Sequence, residues 1–224
     1  MIASELQPIK LYGSGISYFT GKMEMYFRAK GIPYQHHPMS NKEFTVTIPE
    51  KTGVLQMPAL ELGDGRWMTD STPIIAWFEE QYPTPPVTPW DPVQRFFSLL
   101  LEDYADEWLW RPAMHFRWYW DEGAMYASRF LADEVMADVP GPGFIKRYML
   151  RRRQRGGYTV GDGITEDNRA AVEAIYYNNL TALEAVLQQR PFLLGQDPSL
   201  VDVGFMGSMF RHFSMDPPPA KILR

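Results

Sequence analysis

A chain of 224 residues, 45% hydrophobic and 22% charged, can bury a sizeable core as one large domain or two small ones. The net charge of −5 gives a nucleic-acid role no electrostatic support, and no apolar run approaches the length of a membrane span. Cysteine is absent, which removes disulfides, Cys-ligated metal and a protein thiol nucleophile.

The first residues, Met1 to Pro8, lack the basic and apolar regions of a signal peptide, so a cytoplasmic location is expected. Ile9-Lys10-Leu11-Tyr12 reads as a short strand, followed by Gly13-Ser14-Gly15. A helix is predicted over residues 20–30, with Met23, Tyr26 and Phe27 at helical spacing, Gly31 as its stop and Pro33 beyond. A second strand covers residues 34–37. It holds His36 and His37, whose side chains point to opposite faces. With His115 and His212 isolated, the histidines give no chelating spacing, and no metal is assigned. Residues 41–50 stay ambiguous between loop and short helix.

A hairpin comes next, residues 58–62 and 66–68 around Gly63-Asp64-Gly65. A helix over residues 70–81 has an apolar face of Ile74, Ile75 and Phe78 and ends at Pro83. Residues 83–92 are dense in proline and read as a stiff connector. They divide the chain into residues 1–82, a linker, and residues 93–224. Everything after the linker reads helical. Residues 93–110 carry Phe96, Phe97, Leu100, Leu101 and Tyr104 on one stripe, and a second helical stretch spans 112–138 until Gly141-Pro142-Gly143 breaks it. Residues 165–189 form a long helix with Val172, Ile175, Tyr176, Leu183, Val186 and Leu187 inward. A last helix begins after Ser199, where Ser199 and Asp202 can cap reciprocally. Gly156-Gly157 and Gly161-Asp162-Gly163 suggest a mobile connector. Pro217-Pro218-Pro219 leaves only Ala220 to Arg224, which suggests a short domain or a truncated chain.

Two short motifs carry chemistry. Proline lacks an N–H and suits the start of a strand, so Pro58 can open one. An X-Pro bond also adopts cis at modest cost, which turns the N–H and C=O of Met57 sideways, toward an added extended peptide. Further along, Asp70-Ser71 can cap the helix that Thr72-Pro73 begins, and a helix N-terminus offers free N–H groups to an anion.

In this order and spacing, Met57-Pro58-Ala59-Leu60 and Asp70-Ser71 resemble the glutathione-binding half of the glutathione transferase family. Pro191-Phe192-Leu193-Leu194-Gly195 with Ser199-Leu200-Val201-Asp202 is similar to the helix-start signature of that family's helical domain. The resemblance covers nearly the whole chain. It implies α/β plus all-α architecture: a thioredoxin-like domain (βαβ-α-ββα, with a cis proline), then an all-helical domain. It also implies a homodimer, and detoxification as the setting.

The resemblance further implies glutathione as co-substrate. Measured back from Lys22, Ser17 falls where serine-type members carry the hydroxyl that stabilises the thiolate. Tyr12, on the strand where tyrosine-type members carry their donor, and Tyr18, often proline in serine-type members, are rivals; Ser14 is a weaker one. Met57 would pair with the cysteinyl unit, and Asp70 and Ser71 would hold the γ-glutamyl end. Lys42, Lys51 and Gln56 are open candidates for the glycyl carboxylate. Because members that run thiol–disulfide exchange usually use a cysteine at the serine's place, that chemistry is excluded here.

The electrophile pocket is expected in the aromatic stretch of Trp108, Trp110, Phe116, Trp118, Tyr119 and Trp120. Arg151-Arg152-Arg153-Gln154-Arg155 reads first as a solvated face, with an anionic ligand or acidic membrane surface as the alternative. The leading function is thus activation of glutathione against a hydrophobic, aromatic electrophile. The competing one is a non-catalytic scaffold or ligand-binding protein on the same fold.

Overall fold

The computed structural model describes residues 4–224, so the reading of the N-terminus through Met1, Ile2 and Ala3 lies outside the described residues. Strand β1 (Lys10–Gly13) leads into α1 (Tyr18–Lys30) and β2 (Gln35–Pro38). A π-helical turn (Glu43–Thr47) and α2 (Ile48–Thr52) occupy the ambiguous segment, and β3 (Ala59–Glu61), β4 (Trp67–Thr69) and α3 (Ser71–Gln81) come after it. The sheet order is β2-β1-β3-β4, with β1 parallel to β2 and antiparallel to β3.

Alternation along β1 explains the layers. Leu11 points to the face covered by α1 and α3, where it packs with Met23, Phe27, Ile74 and Phe78. Tyr12 points to the other face, into a cluster with Met39, Ile48 and Ala59. The Met57–Pro58 peptide is cis.

The remainder is helical: α4 (Pro92–Glu107), α5 (Trp110–Trp118), α6 (Asp121–Asp133), α7 (Gly143–Arg155), α8 (Arg169–Leu187), α9 (Leu200–Ser208) and α10 (Pro217–Leu223). The architecture is therefore a thioredoxin-like mixed sheet followed by an all-helical region, as the sequence predicts. Ser199 and Asp202 form the expected capping box: the Asp202 carboxylate accepts the Ser199 N–H and hydroxyl, both at 2.8 Å.

Several expectations are corrected. The stretch 112–138 is two helices, not one, because Asp121 and Glu122 start a new helix, where acidic groups meet unpaired N–H ends. The glycine-rich connector folds: α7 runs into a π-helical turn, Gly156–Val160. The proline run does not end the helices but begins α10, since proline suits a first turn whose N–H groups are unpaired in any case. The aromatic stripe of α4 is largely solvent-facing at Phe96, Phe97 and Leu100, while Ser98, Glu102, Ala105 and Asp106 are buried. On α8 only Val172 and Tyr176 are fully buried, and Leu187 is exposed.

Polar α4 residues go inward because they meet a cation. Lys22 of α1 is fully buried and pairs with Glu102 and Asp106, and it also donates to the Thr72 hydroxyl of α3 at 3.3 Å. This cluster ties α1, the first helix of the α/β layer, to α4.

Candidate functional site

A cleft of about 530 Å³ opens between the β1–α1 loop and the helical region. Ser14, Ser17, Gln56 and Met57 line it from the α/β layer, and Trp110, Met114, Trp118, Leu150, Arg153 and Tyr158 line it from the helices.

The loop is held rigidly on both sides. Glu134 accepts the Ser14 hydroxyl and the Gly15 N–H (3.2 Å). Arg117, almost fully buried, donates to the Ile16 carbonyl at 2.7 Å and to the Asp216 carboxylate and Arg211 carbonyl at the same distance. Such support keeps a reactive group in one geometry. At the end of the loop Ser17 is the N-cap of α1, its Oγ accepting the Thr20 N–H at 3.4 Å. The Ser17 hydroxyl is half-buried in the cleft wall, and its own hydrogen is uncommitted among the described residues.

The rival hydroxyls are occupied. Tyr12 donates to Glu61 at 3.0 Å and is not part of the cleft wall; burial together with Glu61 pushes its phenol up to about 12. Tyr18 is buried and donates to the Ala105 carbonyl at 2.6 Å; burial drives its pKa far above the ordinary range. The Ser14 hydroxyl goes to Glu134. None of the three is placed as a free donor, although Ser14 and Tyr18 touch the cleft.

Pro58 is buried at the start of β3, with Met57 and Gln56 at the cleft. Asp70 caps α3 by accepting the Thr72 N–H at 3.2 Å. Its φ of 70° makes it the one non-glycine with positive φ among the described residues. Such strained backbone clusters at functional sites. Ser71 beside it is buried. Neither lines the cleft, and Lys42 and Lys51, both exposed, do not line it either.

Of the six aromatic residues expected in the electrophile pocket, Trp110 and Trp118 line the cleft, and Trp108, Phe116, Tyr119 and Trp120 do not. Trp110, Met114 and Trp118 recur at four-residue spacing on α5, so they share the face that meets the cleft. Phe116 lies two residues from Trp118, on the opposite face, and packs with Tyr176 and Phe213 in the core. Trp108 sits before α5 begins, half-exposed under the Arg111 guanidinium at 4.8 Å.

Sequence reading missed Arg117, Gln154, Tyr158 and His212 as wall residues. His212 is fully buried, and burial, with Arg117 nearby, holds its pKa well below the ordinary value, so the ring is neutral. Arg117 reaches Ile16 across 101 positions, and such long-range pairings leave no local pattern to read. Among the described residues no group of His, Cys, Asp or Glu is arranged to hold a metal ion. Among them, too, no helix is long and apolar enough to cross a membrane.

Comparison with known proteins agrees with this geometry. The family model described as Glutathione S-transferase, N-terminal domain, matches residues 11–86. Glutathione S-transferase U4 of Arabidopsis thaliana is 24% identical over 106 residues, which span 47% of each protein. The matched part is thus about half the length of that curated relative. Among solved structures, a glutathione S-transferase from Rhodospirillum rubrum F11 aligns at a TM-score of 0.60 and 16% identity, over 95% of this chain and 82% of that one. The beta-etherase LigF from Sphingobium sp. strain SYK-6 aligns at 0.61 and 20% identity, over 90% and 82%. The chain has the glutathione transferase fold, and residues 11–86 match that family's N-terminal domain.

Proposed function

We propose that this protein is a serine-type glutathione transferase in which Ser17 donates a hydrogen bond to the thiolate of bound glutathione. The observation that carries the reading is Ser17 itself. It caps α1 as an acceptor, so its O–H is left for an external anion in the cleft wall, while the hydroxyls of Tyr12, Tyr18 and Ser14 are already donated. The N-terminus of α1 adds a positive dipole end at the same point.

A free thiol has a pKa of about 8.5, and a donor plus a helix N-terminus lower it toward neutrality. Each unit of lowering corresponds to about 1.4 kcal/mol of thiolate stabilisation. The backbone of Met57 pairs with the cysteinyl unit, as an extended peptide pairs with a sheet edge. The Asp70 carboxylate takes the γ-glutamyl ammonium, Ser71 its carboxylate, and Gln56, alone of the three candidates at the cleft, the glycyl carboxylate. The sulfur then attacks an electrophilic carbon held against Trp110, Met114 and Trp118. A C–S bond forms and the leaving group departs with its bonding pair. The α/β and helical parts act as two domains joined through residues 83–92. A homodimer, formed through the exposed α4 residues Phe96, Phe97 and Leu100, belongs to the same reading.

Ser17→Ala tests it. Turnover of an activated aryl halide falls about a hundredfold, the pKa of bound glutathione rises toward that of the free thiol, and glutathione affinity changes little. Unchanged turnover and an unchanged thiol pKa would remove Ser17 from the mechanism. Absence of any turnover in the wild type, with glutathione bound, would favour the non-catalytic ligand-binding reading.

A further inference from the structure

Resting on the transferase reading, we propose that the cleft carries an anion subsite formed by Arg153, Gln154 and the Trp118 indole N–H, so that the preferred electrophile is an aryl compound bearing a carboxylate. The cleft contains two arginines and no carboxylate among its lining residues, although the chain carries a net charge of −5. Clefts of one sign in a low-dielectric wall focus potential on a ligand.

The two arginines are not equivalent. The charge of Arg117 is met by Asp216 at 2.7 Å, and its other donors are spent on the Ile16 and Arg211 carbonyls. Within the basic run, Arg151 donates to Ser128 and Arg155 to Asp121 and the Trp118 carbonyl. Among the described residues Arg153 has no side-chain hydrogen-bond or ion-pair partner, and it borders the cleft, so its planar fork is available to a carboxylate.

Two neutral groups at the same cleft also lack partners. Trp118 is only 1% exposed, and its Nε1 donor is buried and unsatisfied. The amide oxygen of Gln154 is likewise buried without a donor. Its NH₂ makes no hydrogen bond among the described residues and is the accessible end of the amide, so it is free to donate at the cleft. Buried polar groups are rarely left unpaired, because each costs about 1–3 kcal/mol. A ligand supplying acceptors satisfies the indole and amide together. Trp110 and Met114 on the same wall supply the apolar area for an aryl ring.

The test uses two electrophiles of one shape: 4-chloro-3-nitrobenzoate and 4-chloro-3-nitrobenzamide. In each the glutathione thiolate attacks the chlorine-bearing carbon, a C–S bond forms, and chloride leaves with its bonding pair. The benzoate-to-benzamide ratio of kcat/KM is expected to fall about tenfold in Arg153→Gln and to be largely restored in Arg153→Lys. Saturable quenching of tryptophan fluorescence by the benzoate, which needs no turnover, is expected to weaken by a similar factor. An unchanged ratio with unchanged quenching overturns the subsite. So does a matching loss of glutathione affinity in Arg153→Gln, which would assign the cation to the glycyl carboxylate of glutathione. If the wild type does not bind glutathione, the transferase reading fails separately, and benzoate quenching still decides whether the anion site exists.

Discussion

Lys22 should be among the costliest buried positions to change. Its ammonium is fully buried, and its two carboxylate partners, Glu102 and Asp106, are 4% and 8% exposed. Lys22→Met keeps the volume but leaves two carboxylates facing each other without a cation. Removing one partner from a buried ionic group costs about 3–5 kcal/mol. At about 2–4 °C per kcal/mol for a chain of this size, the melting temperature should fall by roughly 6–20 °C. The loss must depend on pH. Burial already raises Asp106 to about 6 against the pull of Lys22, and removing that pull raises it further. A carboxylate with a raised folded pKa holds its proton where the unfolded chain has lost it. Its stabilising contribution is therefore complete below about pH 4 and is lost as pH rises through the folded value. Lys22→Met should accordingly be closer to wild type at pH 5 than at pH 8 in urea titrations. A loss under about 1 kcal/mol, or one equal at both pH values, would refute the assignment of a buried ionic tie between α1 and α4.

The same geometry sets further outcomes. Asp70→Asn keeps the cap on Thr72, because asparagine also accepts and tolerates positive φ. It removes the charge that would meet the γ-glutamyl ammonium, so KM for glutathione should rise about tenfold or more, with the melting temperature within about 2 °C of wild type. Arg117→Met strips the Ile16 carbonyl and Asp216 of a buried partner, and should cost about 3–5 kcal/mol in denaturant titration while impairing turnover. Phe96→Glu on the exposed row of α4 should turn a dimer into a monomer in analytical ultracentrifugation, and an unchanged oligomeric state would remove that row as the interface.

The α/β half was legible because its signals are local. The alternation in β1, the stop at Gly31, Pro58 at the head of β3 and Asp70 before α3 each act within a few residues. The same holds for Ser199 with Asp202 in the helical half. Polar–polar tertiary contacts were not legible. Nothing near Glu102 announces that it faces Lys22, so the aromatic stripe of α4 gives no sign that burial goes to the acidic face. The cleft shows the same division. Helical spacing unites Trp110 with Trp118 and sets Phe116 on the opposite face, but the exclusion of Trp108 depends on where α5 begins. Arg117 was invisible because the loop it holds lies 101 positions away, and His212 because its ring meets Tyr18 near the far end of the chain. The proline run that opens α10 misled because a terminating residue and a helix-starting residue are the same residue read in two contexts.

The role of Ser17 is best decided by the ultraviolet thiolate absorbance of glutathione bound to wild type and to Ser17→Ala, followed across pH. In the wild type the thiol should ionise well below its solution pKa of about 8.5. In the variant it should return most of the way to that value with glutathione still bound. A thiol that titrates alike in both proteins, or that departs from its solution value in neither, would contradict the role assigned to Ser17.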